Sequence, residues 1–198
     1  MTRSLRKSRV NTVTALMVLA FAAAAAIPAA AQEAPEMGSG PGHTIAFGAG
    51  YALPPFGGED AYSGAIGAVL RYEISSLLPI PLIFASSLGL SGFVPRESGF
   101  GSSFMIQIGI LVQYPVMNLP LAGLSLEALP YLGYKHYLRW HDFEGESTFS
   151  YRPIAATGFD VRLLGQRWIG GLRFEYDAIF DNEVRHSLAF EPYVGVKF

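Results

Sequence analysis

The chain has no cysteine, so no disulfide framework and no thiolate metal site can organise it. Charge is sparse as well, with Lys, Arg, Asp and Glu together making 15% of the 198 residues. There is no zinc-ligand pattern, no glycine-rich phosphate loop and no nucleophile elbow. No tandem repeat of the solenoid or propeller kind appears. A helix that crosses a membrane needs about 20 apolar residues, and the run Val13–Ile27 falls short of that. The missing cysteine is permissive, since neither an exported domain of this size nor a closed barrel requires disulfides, and the short apolar run leaves an uncleaved N-terminal anchor as the alternative to a cleaved signal. What remains has to be read from periodicity.

The first 31 residues read as a secretory signal. Arg3, Arg6, Lys7 and Arg9 form a basic start, Val13–Ile27 is the alanine-rich apolar stretch, and Ala29–Ala31 is the small-residue cleavage site before Gln32. No cysteine follows that site, which excludes a lipoprotein anchor. Cleavage removes four of the 14 basic residues and none of the 16 acidic ones, leaving a net charge of −6. A nucleic-acid partner does not fit that balance. Residues 32–42 form a short flexible lead-in rich in Pro, Gly and acid, and 43–198 remain as one domain.

That domain divides into eight segments in which apolar residues recur at every second position, the signature of half-buried strands. They are Thr44–Leu53, Tyr62–Ile74, Leu82–Phe93, Ser103–Tyr114, Leu124–Trp140, Phe149–Leu163, Trp168–Phe180 and His186–Phe198. The connections alternate in character. Ser75–Pro81, Pro115–Gly123 and Leu164–Arg167 carry only Arg167 as a charge. Pro54–Ala61, Val94–Ser102, His141–Thr148 and Asp181–Arg185 carry ten charged residues between them. Short turns at one end and charged loops at the other predict an all-β, antiparallel, up-and-down barrel.

Residue size decides which face points inward. Nine strand glycines (Gly48, Gly50, Gly67, Gly89, Gly109, Gly133, Gly158, Gly171, Gly195) share a face with every strand charge, while most strand Phe, Tyr, Leu and Ile lie on the other. Eight strands enclose just enough room for side chains to fill. Small residues with a few long charges suit that interior, and the bulky face does not. The apolar face therefore meets lipid, with aromatics near the strand ends at the two interfaces.

Thirteen charges then fall in the lumen: Arg71, Glu73, Glu127, Lys135, Arg139, Arg152, Asp160, Arg162, Arg173, Glu175, Asp177, Glu191 and Lys197. Seven are basic and six acidic, and an unpaired charge in so narrow a space costs several kcal/mol, on the order of a buried ion's desolvation. The expectation is a cross-strand salt-bridge network that plugs the barrel, with a polar permeation path as the alternative.

The last strand ends on Phe198, with Leu188, Phe190, Pro192, Val194 and Val196 at alternate positions before it. This resembles the C-terminal assembly signal of bacterial outer-membrane β-barrels. In length, strand number and polar lumen, the domain resembles the small eight-stranded barrels, the class of OmpX and the OmpA transmembrane domain. The resemblance implies an outer-membrane location, contact with outer-membrane lipid, recognition of the terminal strand by the barrel-assembly machinery, and a structural or surface-interaction role through the loops. It implies no cofactor and no catalysis. The OmpW variety, a small-solute pore with an apolar lumen, departs from the charges found here.

Lipid-modifying enzymes on the same scaffold use a Ser–His pair. Of the four histidines, His186 is adjacent to Ser187, and neighbours on a strand point to opposite faces. His136 has no nearby serine, and His43 stands at the start of the first strand. His141, Asp142, Glu144 and Glu146 read as an acidic surface loop, since their spacing matches no metal signature. No catalytic, cofactor-binding or metal-ligating residue is assigned.

Overall fold

The structure is a computed structural model that describes residues 42–53, 62–75, 81–95, 103–143, 146–180 and 184–198. The signal and most of the lead-in lie outside these residues, as do most of the expected loops. Nine strands are present: β1 (His43–Ala52), β2 (Tyr62–Ser75), β3 (Ile83–Pro95), β4 (Ser103–Gln113), β5 (Met117–Leu121), β6 (Leu124–Phe143), β7 (Glu146–Leu164), β8 (Trp168–Phe180) and β9 (Val184–Lys197). All neighbours are antiparallel, β1 pairs with β9, and β4 pairs with β6, so the sheet closes on itself.

The closed barrel has eight staves, because β4 and β5 run along the same stave and both pair with β6. Gln113 faces Tyr131 and Met117 faces Ala128, so the partner strand has fewer residues between these pairs than the β4–β5 stave. The surplus on that stave is a β-bulge. The bulge reverses the alternation: Asn118 turns to the lumen side and donates to Glu127 Oε1 at 3.2 Å. The connection Pro115–Gly123, expected as a turn, is thus a bulge, a short strand and a two-residue hairpin turn. Ala122 (φ 34°) and Gly123 (φ 90°) both hold positive φ, as a tight hairpin with strand-matched twist requires.

The expected loop His141–Thr148 is also mostly strand, with His141 paired to Thr148, Asp142 to Ser147 and Phe143 to Glu146. Charge in that stretch suggests a loop, but a hairpin standing clear of a membrane can carry charge on either face. Likewise Arg185, expected in a loop, pairs with Ile179 in the β8–β9 ladder.

Tracing paired residues once round the barrel gives its stagger. The path runs from His43 through Ile74, Phe84, Val112, Leu132, Thr157, Tyr176 and Leu188. The Leu188 carbonyl then accepts from the Leu53 N–H at 2.8 Å, ten residues beyond the start at 43. So large a stagger goes with strongly tilted strands, about 35–45° from the barrel axis. Eight strands leave a narrow interior, where small residues face close neighbours. A Cβ on Gly195 would lie 2.5 Å from the Ile45 carbonyl oxygen, across the seam between β9 and β1.

The alternation holds all round. Leu70, Leu88, Ile110, Leu132, Phe174 and Phe190 are exposed on the outer face, while Arg71, Lys135, Asp160, Arg173 and Asp177 are buried inside. The interior also departs from expectation, because Leu111, Leu129, Ile154, Ile169 and Ile179 point inward and are buried. Ile169 stands at the turn end of β8 and Ile179 at its loop end, so buried apolar side chains flank the charged zone along that strand.

Candidate functional site

The lumen charges form a ladder along the barrel axis. At its turn end Arg162 lies 2.8 Å from Glu73 and 2.9 Å from Glu127, tying β7 to β2 and to β6. In the middle Asp160, with no exposed surface, is held by Arg173 at 3.0 Å and accepts from the Tyr193 hydroxyl at 2.6 Å. Arg71 reaches across to Glu191 at 2.5 Å. It stands 3.6 Å from Glu73 and 3.8 Å from Asp160, contacts too long for hydrogen bonds but still ionic. Towards the loop end Lys135 bonds Glu175 and lies 3.5 Å from Asp177.

This ladder joins four bases to six acids, and tyrosines supply the donors the bases leave wanting. Tyr131 donates to Glu175 at 3.0 Å, Tyr137 donates to Asp177, and Tyr193 serves Asp160. Two of these rings also face guanidinium groups: Arg71 Cζ lies 4.8 Å from the Tyr193 centroid, and Arg173 Cζ 4.5 Å from that of Tyr131. Such stacking suits a delocalised, weakly hydrated cation.

Ten of the thirteen expected lumen charges belong to the ladder: Arg71, Glu73, Glu127, Lys135, Asp160, Arg162, Arg173, Glu175, Asp177 and Glu191. The other three are Arg139, Arg152 and Lys197. Arg139 donates to Ser103 Oγ at 2.7 Å and lies 4.1 Å over the Phe93 ring, near the loop end. Arg152 is half-buried on β7, and Lys197, also half-buried, makes no ion pair among the described residues. The partners differ from simple strand-neighbour pairing. Glu175 and Asp177 reach Lys135 two strands away, and Glu191 reaches Arg71 rather than Lys197. The three tyrosines lie outside the expected set, although their parity on β6 and β9 places them on the charged face.

Among the described residues, His43, His136 and His186 each bond a tyrosine and none of the three bonds a serine. Ser187 Oγ donates to the Leu53 carbonyl at 2.8 Å inside the barrel, while His186 sits outside with its Nδ1 2.5 Å from the Tyr176 hydroxyl. His43 is bonded to Tyr72 and His136 to Tyr151 in the same manner.

A closed eight-stave barrel with an apolar exterior and a charged interior has structural counterparts. Neisserial surface protein A superposes over 82% of this chain and 100% of its own, at 18% identity and a TM-score of 0.50. A major outer membrane protein from Thermus thermophilus covers 81% of this chain and 100% of its own, at 10% identity and a TM-score of 0.57. The fold is that of the small outer-membrane β-barrels. Ail, the attachment invasion locus protein of Yersinia pestis, solved with the heparin analogue sucrose octasulfate, shares this fold at 14% identity. It covers 81% of this chain and 100% of its own, with a TM-score of 0.52. No family model matches the sequence, and no curated protein matches it.

Proposed function

We propose that this protein is an integral outer-membrane barrel whose lumen is closed by its charge ladder and whose role, structural or in surface interaction, is carried by its outer loops and outer surface. It is exported by a signal peptide cleaved before Gln32 and inserted by the barrel-assembly machinery, which reads the strand ending at Phe198. The observation that carries this reading is the inside-out partition of side chains. Large apolar groups such as Leu132 (70% exposed) and Ile110 (65% exposed) cover the outside, while Asp160 (0%) and Arg71 (1%) are buried within. A protein that kept this surface in water would expose an apolar patch far beyond the few hundred Å² tolerated by soluble monomers.

A single substitution separates lipid from water at that surface. Leu132→Arg should destabilise the bilayer-embedded protein by about 2–4 kcal/mol, the cost of arginine near the midplane of a membrane barrel. On a soluble barrel the same exposed change would be close to neutral. Urea titration of the protein refolded into lipid vesicles reads the difference, and a neutral outcome would overturn the membrane assignment. Location is tested by fractionating the native host. The expected result is recovery in the outer membrane, with electrophoretic migration that changes on boiling and Gln32 as the first residue by mass spectrometry. Recovery as a soluble protein, or with Met1 retained, would contradict it.

A further inference from the structure

Arg185 belongs to the inner wall of the barrel. It shares parity on β9 with the inward Ser187 and Glu191, and it is half-buried. Two further arginines of the inner wall lie at its height. A row of paired residues gains ten residues over eight strands, so it climbs the axis by about one and a quarter residues per strand. The row from Arg185 runs down through Ile179 and Ile154 to Lys135. Arg152, two residues above Ile154 on β7, and Arg139, four above Lys135 on β6, are therefore level with Arg185.

Inward side chains on a closed barrel point towards one axis. Eight strands tilted by about 40° leave about 16 Å between opposite backbones, so three arginines at one level share a single space. Arg139 leans across the mouth: its Nε donates to Ser103 Oγ on β4, and its Cζ lies 4.1 Å over the Phe93 ring of β3. Its guanidinium thus stands above β3, while Arg152 and Arg185 enter from β7 and β9. Positive charge surrounds the loop-side mouth on three sides. Arg185 buries its Nε without a hydrogen-bond partner among the described residues.

Buried apolar side chains lie just below this level: Met105 on β4, Ile154 on β7 and Ile179 on β8. Beneath them Asp177 has Lys135 and Tyr137 as partners. Among the described side chains, no acid stands on the inner wall above Asp177. The mouth is a cationic cup with an apolar base.

We infer that this cup is a binding site for a water-borne phosphate monoester such as a sugar phosphate. Such a group carries close to two negative charges and three acceptor oxygens, and guanidinium forks match phosphate oxygens two at a time. Three arginines around one mouth offer a fork to each oxygen. The inference rests on the outer-membrane reading above, in which the loop-side mouth opens to external water. The ligand arrives from that water, because the barrel wall separates the cup from the bilayer.

The test uses the full barrel refolded in detergent, with isothermal titration calorimetry of glucose 6-phosphate, of glucose, and of phosphatidic acid carried in the same micelles. The expected result is that glucose 6-phosphate binds at least tenfold more tightly than glucose and is not displaced by phosphatidic acid. Arg152→Gln and Arg185→Gln should each weaken it at least tenfold, and Arg185→Lys, which keeps the charge without the fork, should weaken it less. Lys197→Gln, at the turn end of the lumen, should leave it unchanged. Heat-modifiable migration confirms that each variant folds. Methyl NMR supplies a second readout, since the Met105 signal should shift with glucose 6-phosphate. Unchanged affinity in both glutamine variants, equal binding of glucose, displacement by phosphatidic acid, an unshifted Met105 signal, or no binding of glucose 6-phosphate would each overturn the site. Any of these in a protein that still inserts into bilayers leaves the outer-membrane reading standing; failure to insert at all would remove both.

Discussion

Asp160→Ala is expected to lower the unfolding stability of the bilayer-refolded protein by about 3–5 kcal/mol, the cost of leaving a buried charge without its partner. Asp160 has no exposed surface and takes Arg173 at 3.0 Å and the Tyr193 hydroxyl at 2.6 Å, with Arg71 at 3.8 Å. Its removal strands two guanidinium groups in the middle of the ladder. Gln166→Ala, in the exposed turn before β8, should change stability by no more than about 0.5 kcal/mol, as at ordinary surface sites. Pairing Asp160→Leu with Arg173→Met should recover part of the loss, because removing both partners abolishes the stranded charge. Urea titration followed by tryptophan fluorescence gives all of these values. A loss below about 1 kcal/mol for Asp160→Ala, close to the typical surface effect, would mean that the lumen charges are solvated and the ladder carries little.

Deletion of Phe198 should have the largest effect in the cell, reducing insertion into the outer membrane at least tenfold while leaving the refolded protein only modestly weakened. The structural share is limited. The Phe198 N–H donates to the His43 carbonyl at 2.9 Å, the His43 N–H donates to the Phe198 carbonyl at 3.1 Å, and the two rings stack 5.9 Å apart. Losing one rung at the rim costs about 1–3 kcal/mol, the scale of one or two hydrogen bonds. A much steeper loss in cells than in refolding experiments therefore points to recognition during assembly. Parallel measurement of membrane-inserted protein by fractionation and of refolding yield in vesicles separates the two. Equal, small effects in both would make the terminal phenylalanine an ordinary strand end.

Much of this architecture is legible in the chain because a barrel repeats one simple rule. Charges such as Arg71, Asp160 and Arg173 share parity with glycines such as Gly67, Gly158 and Gly171, and that shared parity fixes the inner face before any strand pairing is known. Strand ends are less legible. Pro115, Pro120 and Gly123 carry turn chemistry, and so conceal that the chain bulges once and continues as β5. Charge around Asp142 and Glu146 likewise masks the continuation of β6 and β7 into a long hairpin.

The partners within the ladder are the least legible part. Parity places Lys135 and Glu175 on one face, but only register and barrel curvature bring them together across an intervening strand. Inward Leu129 and Ile169 are hidden because bulk, read from the chain alone, marks the outer face. The histidine–tyrosine pairs are hidden for a different reason: each joins residues on neighbouring strands, His136 to Tyr151 and His186 to Tyr176, whose contact depends on the register of the hairpin between them.

The central claim is that the lumen is packed rather than open. Apolar Ile169 and Ile179 are buried at the two ends of the charged zone, whose ion pairs form one set around Arg71, Asp160 and Arg162 and a second of Lys135 with Glu175 and Asp177; we propose that this interior leaves no continuous water column. Single-channel recording of the purified protein in a planar lipid bilayer tests this most directly. The packed lumen predicts a silent bilayer with at most brief, small events, in the intact protein and in the Gln166→Ala control alike. Large, stable and voltage-reproducible currents from the intact protein would contradict it and make the ladder the lining of a pore.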